Sequence, residues 1–281
     1  NKVVIVTGPT SGIGKEVVKK LINLNYRVIL ACRNIEKGRA VAQEIGIEEI
    51  NVLYLDVSKK ESIDSFVVNL HKLTTHINIL INNAAYLGND LELMYRTNCQ
   101  GPTYLTKLLL PYINKSFDGK VINVSSVMHA FAKPTLENLY DTSSKDQLTV
   151  YANTKLYNIL LTNIINKLPN GIDGQNVPLV STAVNPGFVN SNLYRSDELY
   201  GSLLRKMKTS AGYIGKSTEE GARQIIYAIV RYVPHRGYIS NFSPDTVHAF
   251  SDVNLNLLSH NLWNNNEFET GNDVFVLDSG F

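Results

Sequence analysis

The chain has 281 residues, of which 44% are hydrophobic and 19% are charged, with a formal net charge of +2. This composition is typical of an ordinary globular α/β protein and excludes a disordered or fibrous chain. The small net charge, without a run of Lys or Arg, excludes a charge-driven nucleic-acid binder.

The first predicted unit is a strand, a glycine-rich turn and a helix. Residues 3–6 are four consecutive β-branched apolar residues, which is typical of a buried parallel strand. The turn that follows contains Gly8, Gly12 and Gly14, and an amphipathic helix begins after it. This order places backbone N–H groups and a helix N-terminus against a phosphate, so the pattern indicates a nucleotide-binding turn.

The second predicted strand covers residues 27–31 and is followed by Arg33. In dinucleotide-binding folds the end of this strand meets the adenosine ribose, where an acid binds a 2′-hydroxyl and an arginine accommodates a 2′-phosphate. The first acid after the strand is Glu36, beyond Arg33. The sequence therefore favours NADP(H) over NAD(H).

Two further strands are predicted at residues 51–55 and 77–81. Asp56 follows the first of them, and its carboxylate either accepts from an adenine amino group or only N-caps the next helix. The second strand ends in Asn82-Asn83-Ala84-Ala85, where small residues let the backbone approach a ligand and Asn83 could tie neighbouring strands together.

A long helix is predicted over residues 91–113, with Asn98 inside it. Gly101-Pro102 within the same pattern predicts a kink that frees a backbone carbonyl. The fifth predicted strand, residues 120–124, delivers Ser126 to the edge of the sheet where ligands bind in open α/β folds. Residues 127–148 are predicted to be a loop with a short helix, and His129 is taken for a loop residue.

Tyr151 and Lys155 lie four residues apart at the start of a predicted helix. That spacing puts both side chains on one helix face. An ammonium close to a phenol stabilises the phenolate, which suits a proton donor working near neutral pH. The same spacing also arises on ordinary solvated helix faces, so the pair acquires meaning only from its surroundings.

The C-terminal part has a sixth strand at residues 179–184, a helix over 219–233 and a short strand at 237–240. Residues 191–217 lack a clear period and are predicted to form a cover, and Trp263 could dock the tail to the body. Strands that alternate with helices predict an α/β fold, a Rossmann-type doubly wound parallel sheet of about seven strands with helices on both faces.

We expect one domain over residues 1–281. Residues 1–125 would mainly bind the dinucleotide, and residues 126–281 would supply the catalytic helix, the substrate cover and the tail.

The chain resembles the classical short-chain dehydrogenase/reductase family over about residues 1–240. Ala85 stands where the family usually has Gly, and Ser191 stands where a Thr commonly contacts the nicotinamide amide. Ala31-Cys32-Arg33-Asn34 and the long separation of Ser126 from Tyr151 are similar to the retinol dehydrogenase-like branch that uses NADP(H). The family motifs, in family order, are Thr7-Gly8-x-x-x-Gly12-Ile13-Gly14, Asp56-Val57, Asn82-Asn83-Ala84, Asn98, Ser126, Tyr151-x-x-x-Lys155 and Pro186-Gly187.

The resemblance implies an NADP(H)-dependent oxidoreductase that transfers a hydride between nicotinamide and a carbonyl or alcohol. It implies that Tyr151 is the acid in reduction and the base in oxidation, and that Lys155 assists Tyr151 and holds the nicotinamide ribose. Ser126 would polarise the substrate oxygen, and Asn98 would hold a water that joins Lys155 to solvent.

The resemblance also implies a cofactor-binding set with a position for each part of the dinucleotide. The set comprises Gly8, Ser11, Gly12, Ile13 and Gly14 at the pyrophosphate, Arg33 at the 2′-phosphate, Asp56 and Val57 beside adenine, Asn83 and Ala84 under the ribose, and Pro186, Gly187, Val189 and Ser191 at the nicotinamide, together with Asn34, Tyr151 and Lys155.

The substrate is expected to be a small apolar aldehyde or ketone, retinal-, lipid- or steroid-like, because the predicted cover is rich in apolar and aromatic side chains. The same side chains are also compatible with ordinary packing against the sheet. A dinucleotide-binding scaffold or redox-sensing partner without turnover is the alternative from another class. The cover residues in question are Phe188, Leu193, Tyr194, Leu199, Tyr200, Leu203 and Leu204.

Other partners and the location follow from simple counts. Two cysteines give no disulfide framework, the histidines lack metal-ligand spacing, and no stretch has the roughly 20 apolar residues of a membrane span. We expect an intracellular protein, either cytoplasmic or on the cytosolic face of a membrane if an N-terminal anchor precedes Asn1. The sequence leaves open whether the chain forms a homo-oligomer.

Overall fold

The computed structural model describes residues 1–113, 118–133, 146–168, 179–190, 215–231, 237–241, 243–244 and 263. The strands in these ranges are β1 Val3–Thr7, β2 Arg27–Cys32, β3 Val52–Tyr54, β4 Ile79–Asn82, β5 Lys120–Val124, β6 Val180–Asn185, β7 Tyr238–Ser240 and β8 Ser243–Pro244. The α-helices are α1 Gly12–Asn23, α2 Ile35–Ile45, α3 Lys60–His71, α4 Leu91–Tyr95, α5 Gly101–Ile113, α6 Gln147–Ile165 and α7 Thr218–Val230.

The strands form one sheet in the order β3-β2-β1-β4-β5-β6-β7-β8. Every pair from β3 to β7 is parallel, and only the two-residue β8 pairs antiparallel with β7. The strand order reverses between β1 and β4, which is the switch point where ligands bind in doubly wound folds. The predicted Rossmann-type fold is confirmed.

Strand residues alternate between two hydrophobic cores, one on each face of the sheet. Val3 and Ile5 of β1 pack with α3, α5 and α6, whereas Val4 and Val6 pack with α1, α2 and α7. Successive side chains of a strand point to opposite faces, so a strand covered on both faces must be apolar throughout. This explains the unbroken apolar run at residues 3–6 of β1, the strand that lies next to the switch point.

The predicted helix over residues 91–113 is not continuous, which corrects its simple description as one α-helix. Residues Arg96–Gln100 form a π-helical turn between α4 and α5. A Cβ on Gly101 would lie 1.7 Å from the carbonyl oxygen of Val57, so only glycine lets the helix pass this close to the loop after β3. The predicted kink is therefore present as a widened π-helical turn. One of its residues, Thr97, lines the cleft at the carboxyl ends of the strands.

The C-terminal elements largely follow the prediction. α7 begins at Thr218 behind a capping box in which Ser217 accepts from the Glu220 backbone N–H and Glu220 accepts from that of Ser217. Trp263 is buried, and Lys107 donates to its carbonyl at 2.7 Å and lies 4.9 Å from its ring centroid, which confirms the predicted docking at this residue. None of the helices in the described ranges combines the length and apolarity required to cross a membrane.

Candidate active site

A cleft of about 470 Å³ opens at the carboxyl ends of the central strands. It contains nearly every site residue predicted from the sequence, although these come from well-separated parts of the chain. Asn98 does not line it, and Ser191 lies outside the described residues together with the cover residues from 193 to 204. The predicted residues that line the cleft are Gly8, Ser11, Gly12, Ile13, Gly14, Arg33, Asn34, Asp56, Val57, Asn83, Ala84, Ser126, Tyr151, Lys155, Pro186, Gly187 and Val189.

The glycine turn is locked against the loop that follows β4. A Cβ on Gly14 would lie 2.2 Å from the carbonyl oxygen of Gly8 and 2.5 Å from Asn83 Nδ2. Asn83 Nδ2 donates to the carbonyls of Thr7 and Gly8 at 2.9 and 3.1 Å, which confirms that Asn83 ties β4 to β1. Bare backbone therefore forms this wall of the cleft.

The N-terminus of α1 faces the cleft without a side-chain cap. Ser11 is its N-cap residue, yet its hydroxyl forms no capping hydrogen bond, and the first turn contains no acid. By contrast, α2 is capped by the side chain of Asn34 and α7 by Ser217. Uncapped N–H groups and the positive end of the helix dipole favour an anion, so this end of α1 fits the diphosphate of a dinucleotide.

Thr7 reinforces the same wall, and in the sequence it was named in the glycine-turn motif without a role of its own. Its hydroxyl accepts from the backbone N–H groups of Asn83 and Ala84, each at 3.0 Å, and donates to the carbonyl of Ile81 at 3.2 Å. The last residue of β1 thus fixes the path of the chain where β4 ends. Its position at the end of a strand that enters the glycine turn was the available signal.

Two cations lie at the end of the cleft formed by β2 and α2. Arg33 is exposed and lines the cleft as predicted. Lys37 also lines it, one helical turn further on, and was given no role in the site from the sequence. Asn34 lines the cleft too, but its Oδ1 accepts from the backbone N–H of Lys37 at 2.8 Å and so also caps α2.

Asp56 lines the cleft, and the structure tests one of its two predicted roles, the capping of α3. Its Oδ1 accepts from the backbone N–H of Ser58 at 3.1 Å and from the Ser58 hydroxyl at 2.7 Å. The N-cap residue of α3 is Lys59, so the expectation that Asp56 caps this helix is wrong. Its carboxylate instead closes a short turn before α3, a local arrangement that Asp favours.

Ser126 stands just beyond β5 and begins the short 3-10 helix Val127–Phe131. Its hydroxyl oxygen accepts from the backbone N–H of Met128 at 3.2 Å, which leaves the hydroxyl hydrogen available to donate into the cleft. The neighbouring Ser125 hydroxyl instead donates to the carbonyl of Lys155 at 2.8 Å and ties β5 to α6. The two serines therefore have different partners.

Tyr151 and Lys155 both line the cleft from α6, and both are almost fully buried, with 1% and 3% of their surface exposed. Lys155 Nζ lies 5.4 Å from the Tyr151 ring centroid. Within the described residues its hydrogen bond is to the Val124 carbonyl at 3.1 Å. Burial lowers the pKa of the Lys155 ammonium to about 8. The group is therefore charged at neutral pH and has donor capacity left for a ligand.

Asn98 acts from behind the cleft. Its Oδ1 accepts from the backbone N–H of Tyr86 at 2.7 Å, and its Nδ2 donates to the Tyr86 carbonyl at 2.9 Å and to Thr154 Oγ1 at 3.2 Å. The Thr154 hydroxyl in turn donates to the carbonyl of Tyr151 at 2.7 Å. The side chain of Asn98 thus joins the loop after β4 to the helix of Tyr151, and its role toward a water stays a prediction.

The opposite wall follows β6. Gly187 adopts a φ of +83°, and a Cβ there would lie 2.9 Å from Lys216 Nζ. Lys216 donates its backbone N–H to the Phe188 carbonyl at 2.8 Å, accepts from the Asn190 N–H at 3.0 Å, and its Nζ donates to Asn241 Oδ1 at 2.9 Å. Lys216 therefore holds the Pro186-Gly187 loop against the start of α7 and the turn after β7.

Comparisons with known proteins agree with this arrangement. The chain matches the family model for short chain dehydrogenases over residues 2–164. It is 34% identical over 237 residues to retinol dehydrogenase 11 of Homo sapiens, across 80% of this chain and 72% of that protein.

Solved structures show the same fold at lower identity. The closed form of serine dehydrogenase complexed with NADP+ has a TM-score of 0.66 at 23% identity, covering 84% of this chain and 92% of that chain. A short-chain dehydrogenase/reductase from Burkholderia phymatum in complex with NAD has a TM-score of 0.66 at 16% identity, covering 85% and 88%. The chain belongs to the short-chain dehydrogenase/reductase family of oxidoreductases and within it is retinol dehydrogenase-like.

Proposed function

We propose that the protein is an NADP(H)-dependent oxidoreductase that interconverts an apolar aldehyde or ketone and its alcohol. The observation that carries the proposal is that Ser126, Tyr151 and Lys155 line the same cleft as the uncapped end of α1. An anion-binding turn and a buried acid–base pair would each be unremarkable alone. Their presence in one cleft supports a site in which a bound dinucleotide meets a substrate.

When bound, the nicotinamide cofactor supplies or accepts the hydride. Tyr151 donates a proton to the carbonyl oxygen during reduction and takes it back during oxidation. Ser126 donates a hydrogen bond to the same oxygen and stabilises the negative charge that develops there. The buried position of both side chains keeps bulk water away from the reacting oxygen and strengthens these interactions.

Lys155 supports Tyr151 through its charge. A buried ammonium close to the phenol stabilises the phenolate and so eases proton transfer in both directions. Its bond to the Val124 carbonyl fixes the side chain while leaving donors for the ribose hydroxyls of the cofactor. The desolvation that lowers its pKa to about 8 is the energetic cost of holding a charge at this place.

The preference for NADP(H) is argued from Arg33 and Lys37. Both are exposed cations that line the adenosine end of the cleft, where a 2′-phosphate would lie. The two structural relatives hold NADP+ in one case and NAD in the other, so the choice depends on this chain's own residues. The apolar substrate class follows the expectation from the cover and the name of the human relative.

The activity is tested by incubating the purified protein and NADPH with retinal, long-chain aldehydes and steroid ketones. We expect loss of NADPH absorbance with at least one of them. Tyr151→Phe should bind NADPH like the wild type while its turnover falls by about 100-fold to 10,000-fold, since general acid catalysis contributes that much. No turnover with any carbonyl would refute the proposal. A cellular activity that survives Tyr151→Phe would support the non-catalytic scaffold instead.

Cofactor choice has its own test. Arg33→Asp and Lys37→Ala should each weaken NADPH relative to NADH by about 10-fold or more, because each removes a charge-assisted bond to the 2′-phosphate. Arg39→Ala is the matched control, since Arg39 lies on the same helix as Lys37 but pairs with Glu49 and does not line the cleft. Equal affinity of the wild type for NADPH and NADH would refute the role of these cations.

Organisation and location stay predictions. We propose that residues 1–281 form one domain and that the protein acts inside the cell, with its partner a small molecule. Limited proteolysis, analytical ultracentrifugation and cell fractionation test the single domain, the oligomeric state and the location separately.

A further inference from the structure

His129 is buried beside the catalytic serine rather than exposed on a loop. It lies in the 3-10 helix Val127–Phe131, three residues after Ser126, and only 3% of its surface is accessible. The sequence suggested an ordinary loop residue near the site. A polar ring buried this deeply requires hydrogen-bonding partners, so its contacts indicate what it does.

The imidazole holds the main chain of Ser126. Its Nδ1 lies 2.6 Å from the Ser126 carbonyl oxygen, and the backbone N–H of His129 donates to the same oxygen at 3.1 Å. A carbonyl oxygen can only accept, so Nδ1 carries the hydrogen. Met128 donates its N–H to Ser126 Oγ at 3.2 Å. Met128 therefore fixes the hydroxyl oxygen of Ser126, and His129 fixes its carbonyl oxygen.

The same ring rests on the sheet. It meets Tyr238 of β7 edge-on, with ring centroids 5.2 Å apart and an angle of 69° between the planes. Tyr238 is itself buried and pairs with Ala183 of β6. Through His129, the turn that carries Ser126 is therefore held by a strand two places along the sheet from β5.

We propose that His129 is a positioning residue that sets the direction of the Ser126 hydroxyl toward the substrate oxygen, an inference that rests on the proposed function. Ser126 stands beyond the last residue of β5, where the ladder of the strand no longer controls its orientation. The imidazole adds a constraint on the Ser126 carbonyl to those of the two backbone N–H groups. An error of about 1 Å in the place of a catalytic group can lower a rate by about 100-fold, so such a constraint has a measurable effect.

Two substitutions separate the hydrogen bond from the packing. His129→Phe keeps a ring against Tyr238 and removes the donor, whereas His129→Asn places an amide N–H near the position of Nδ1. We expect His129→Phe to lower kcat and kcat/KM together by about 10-fold to 100-fold. The reason is that the misplaced Ser126 hydroxyl loses its hydrogen bond to the substrate oxygen, which is strongest in the transition state. NADPH affinity should not change. His129→Asn should recover most of the rate.

A double-mutant cycle tests whether the effect passes through Ser126. In a Ser126→Ala background, His129→Phe should have almost no further effect on kcat, because the group it positions is gone. Equal rate losses in the two backgrounds would overturn the proposal and leave His129 as a packing residue. Unchanged turnover of His129→Phe in the otherwise wild-type protein would overturn it as well.

The hydrogen bond can be measured without turnover. Long-range proton–nitrogen NMR spectra of the purified protein should show the His129 ring protonated at Nδ1, and an unprotonated Nδ1 would refute the contact even if His129→Phe fails to fold. A wild type that reduces no carbonyl compound would overturn the proposed function and this consequence together. If the wild type turns over normally and His129→Phe has the same kcat, only the role of His129 is overturned.

Discussion

The two ends of the cleft are built in different ways. At the cofactor end, Gly8 to Gly14 and Arg33 to Lys37 are short consecutive stretches, each formed by the end of a strand, a turn and the start of a helix. Asn83 fastens the glycine turn from the loop after β4.

At the reaction end, the helix α6 that carries Tyr151 and Lys155 is tied to the end of β5 and to Asn98 by hydrogen bonds between residues far apart in the chain. Ser126 is held by its own turn, which rests on β7 through the ring of His129. The cofactor end is thus built mainly from local structure, whereas the reaction end exists only when the whole sheet has assembled.

The two ends also differ in charge and solvent exposure. Arg33 and Lys37 are exposed cations, so they keep their charge in water without a desolvation penalty. Lys155 is a buried cation whose pKa is lowered to about 8 because its charge is removed from water. The proposed cofactor specificity therefore costs little stability, whereas the proposed chemistry requires a charge whose burial is unfavourable in the protein without cofactor.

The largest expected effect comes from filling the glycine cradle. Gly14→Ala should weaken NADPH binding by at least about 100-fold and lower Tm, because its Cβ would overlap the Gly8 carbonyl and Asn83 Nδ2 and force the two loops apart. Binding is measured by NADPH fluorescence titration and Tm by calorimetry. Gly46→Ala is the matched control, since Gly46 has a φ of +80° but an added Cβ meets nothing within 4 Å.

That control should lower stability by only about 1–2 kcal/mol, the cost of a left-handed residue with a side chain, and leave binding intact. If Gly14→Ala binds NADPH like the wild type, the cofactor end is not the rigid local unit described above.

Lys155→Met should have opposite effects on activity and stability. Turnover should fall by at least about 100-fold, since the phenolate of Tyr151 loses its nearby charge. At neutral pH the empty protein should become more stable by up to about 3 kcal/mol, because each unit of pKa shift corresponds to about 1.4 kcal/mol and the variant avoids burying a charge. Chemical denaturation of both proteins across a pH series provides the measurement.

The pH dependence of the stability difference between the two proteins follows from the lowered pKa of Lys155. Below pH 8 the lysine is charged in the folded and unfolded states, and the folded state bears the full desolvation cost. Between about 8 and 10.5 the folded state loses its proton first, so the wild type gains stability as pH rises and the advantage of the Met variant disappears. A constant difference between the two proteins from pH 7 to pH 11 would show that burial of the charge is not the cause.

The same contrast explains what could be predicted from the sequence. The strand, turn and helix that carry Gly8 to Gly14 follow from local pattern, because β-branched runs, glycines and helical spacing are set within about ten residues. The kink near Asn98 was predicted, yet its π-helical form and the close approach of Gly101 to the Val57 carbonyl were not. Local pattern cannot contain a contact of that kind.

Residues whose roles depend on one specific partner were given no role for this reason. Thr7, Thr154 and His129 have ordinary sequence surroundings, and their importance lies in bonds to Asn83, Asn98 and Ser126. Two of these bonds join different secondary structure elements, and the third closes within one turn that the pattern left as loop. Composition and periodicity identify which element a residue belongs to, but the partner of a buried hydroxyl or imidazole follows only from the packed sheet.

The smallest expected effect tests one of these distant bonds at the reaction end. Thr154→Val keeps the shape of the side chain but removes the hydroxyl that accepts from Asn98 Nδ2 and donates to the Tyr151 carbonyl. A buried donor left without its partner costs about 1–3 kcal/mol, and the loosened link between Asn98 and α6 should lower kcat by about 3-fold to 10-fold. Thr154→Ser keeps the hydroxyl and should stay close to the wild type in both respects. Urea denaturation and steady-state kinetics supply the measurements. If Thr154→Val lowers neither stability nor kcat, the long-range link between the loop after β4 and the helix of Tyr151 contributes nothing to the reaction end, and the contrast between the two ends of the cleft is smaller than the hydrogen bonds indicate.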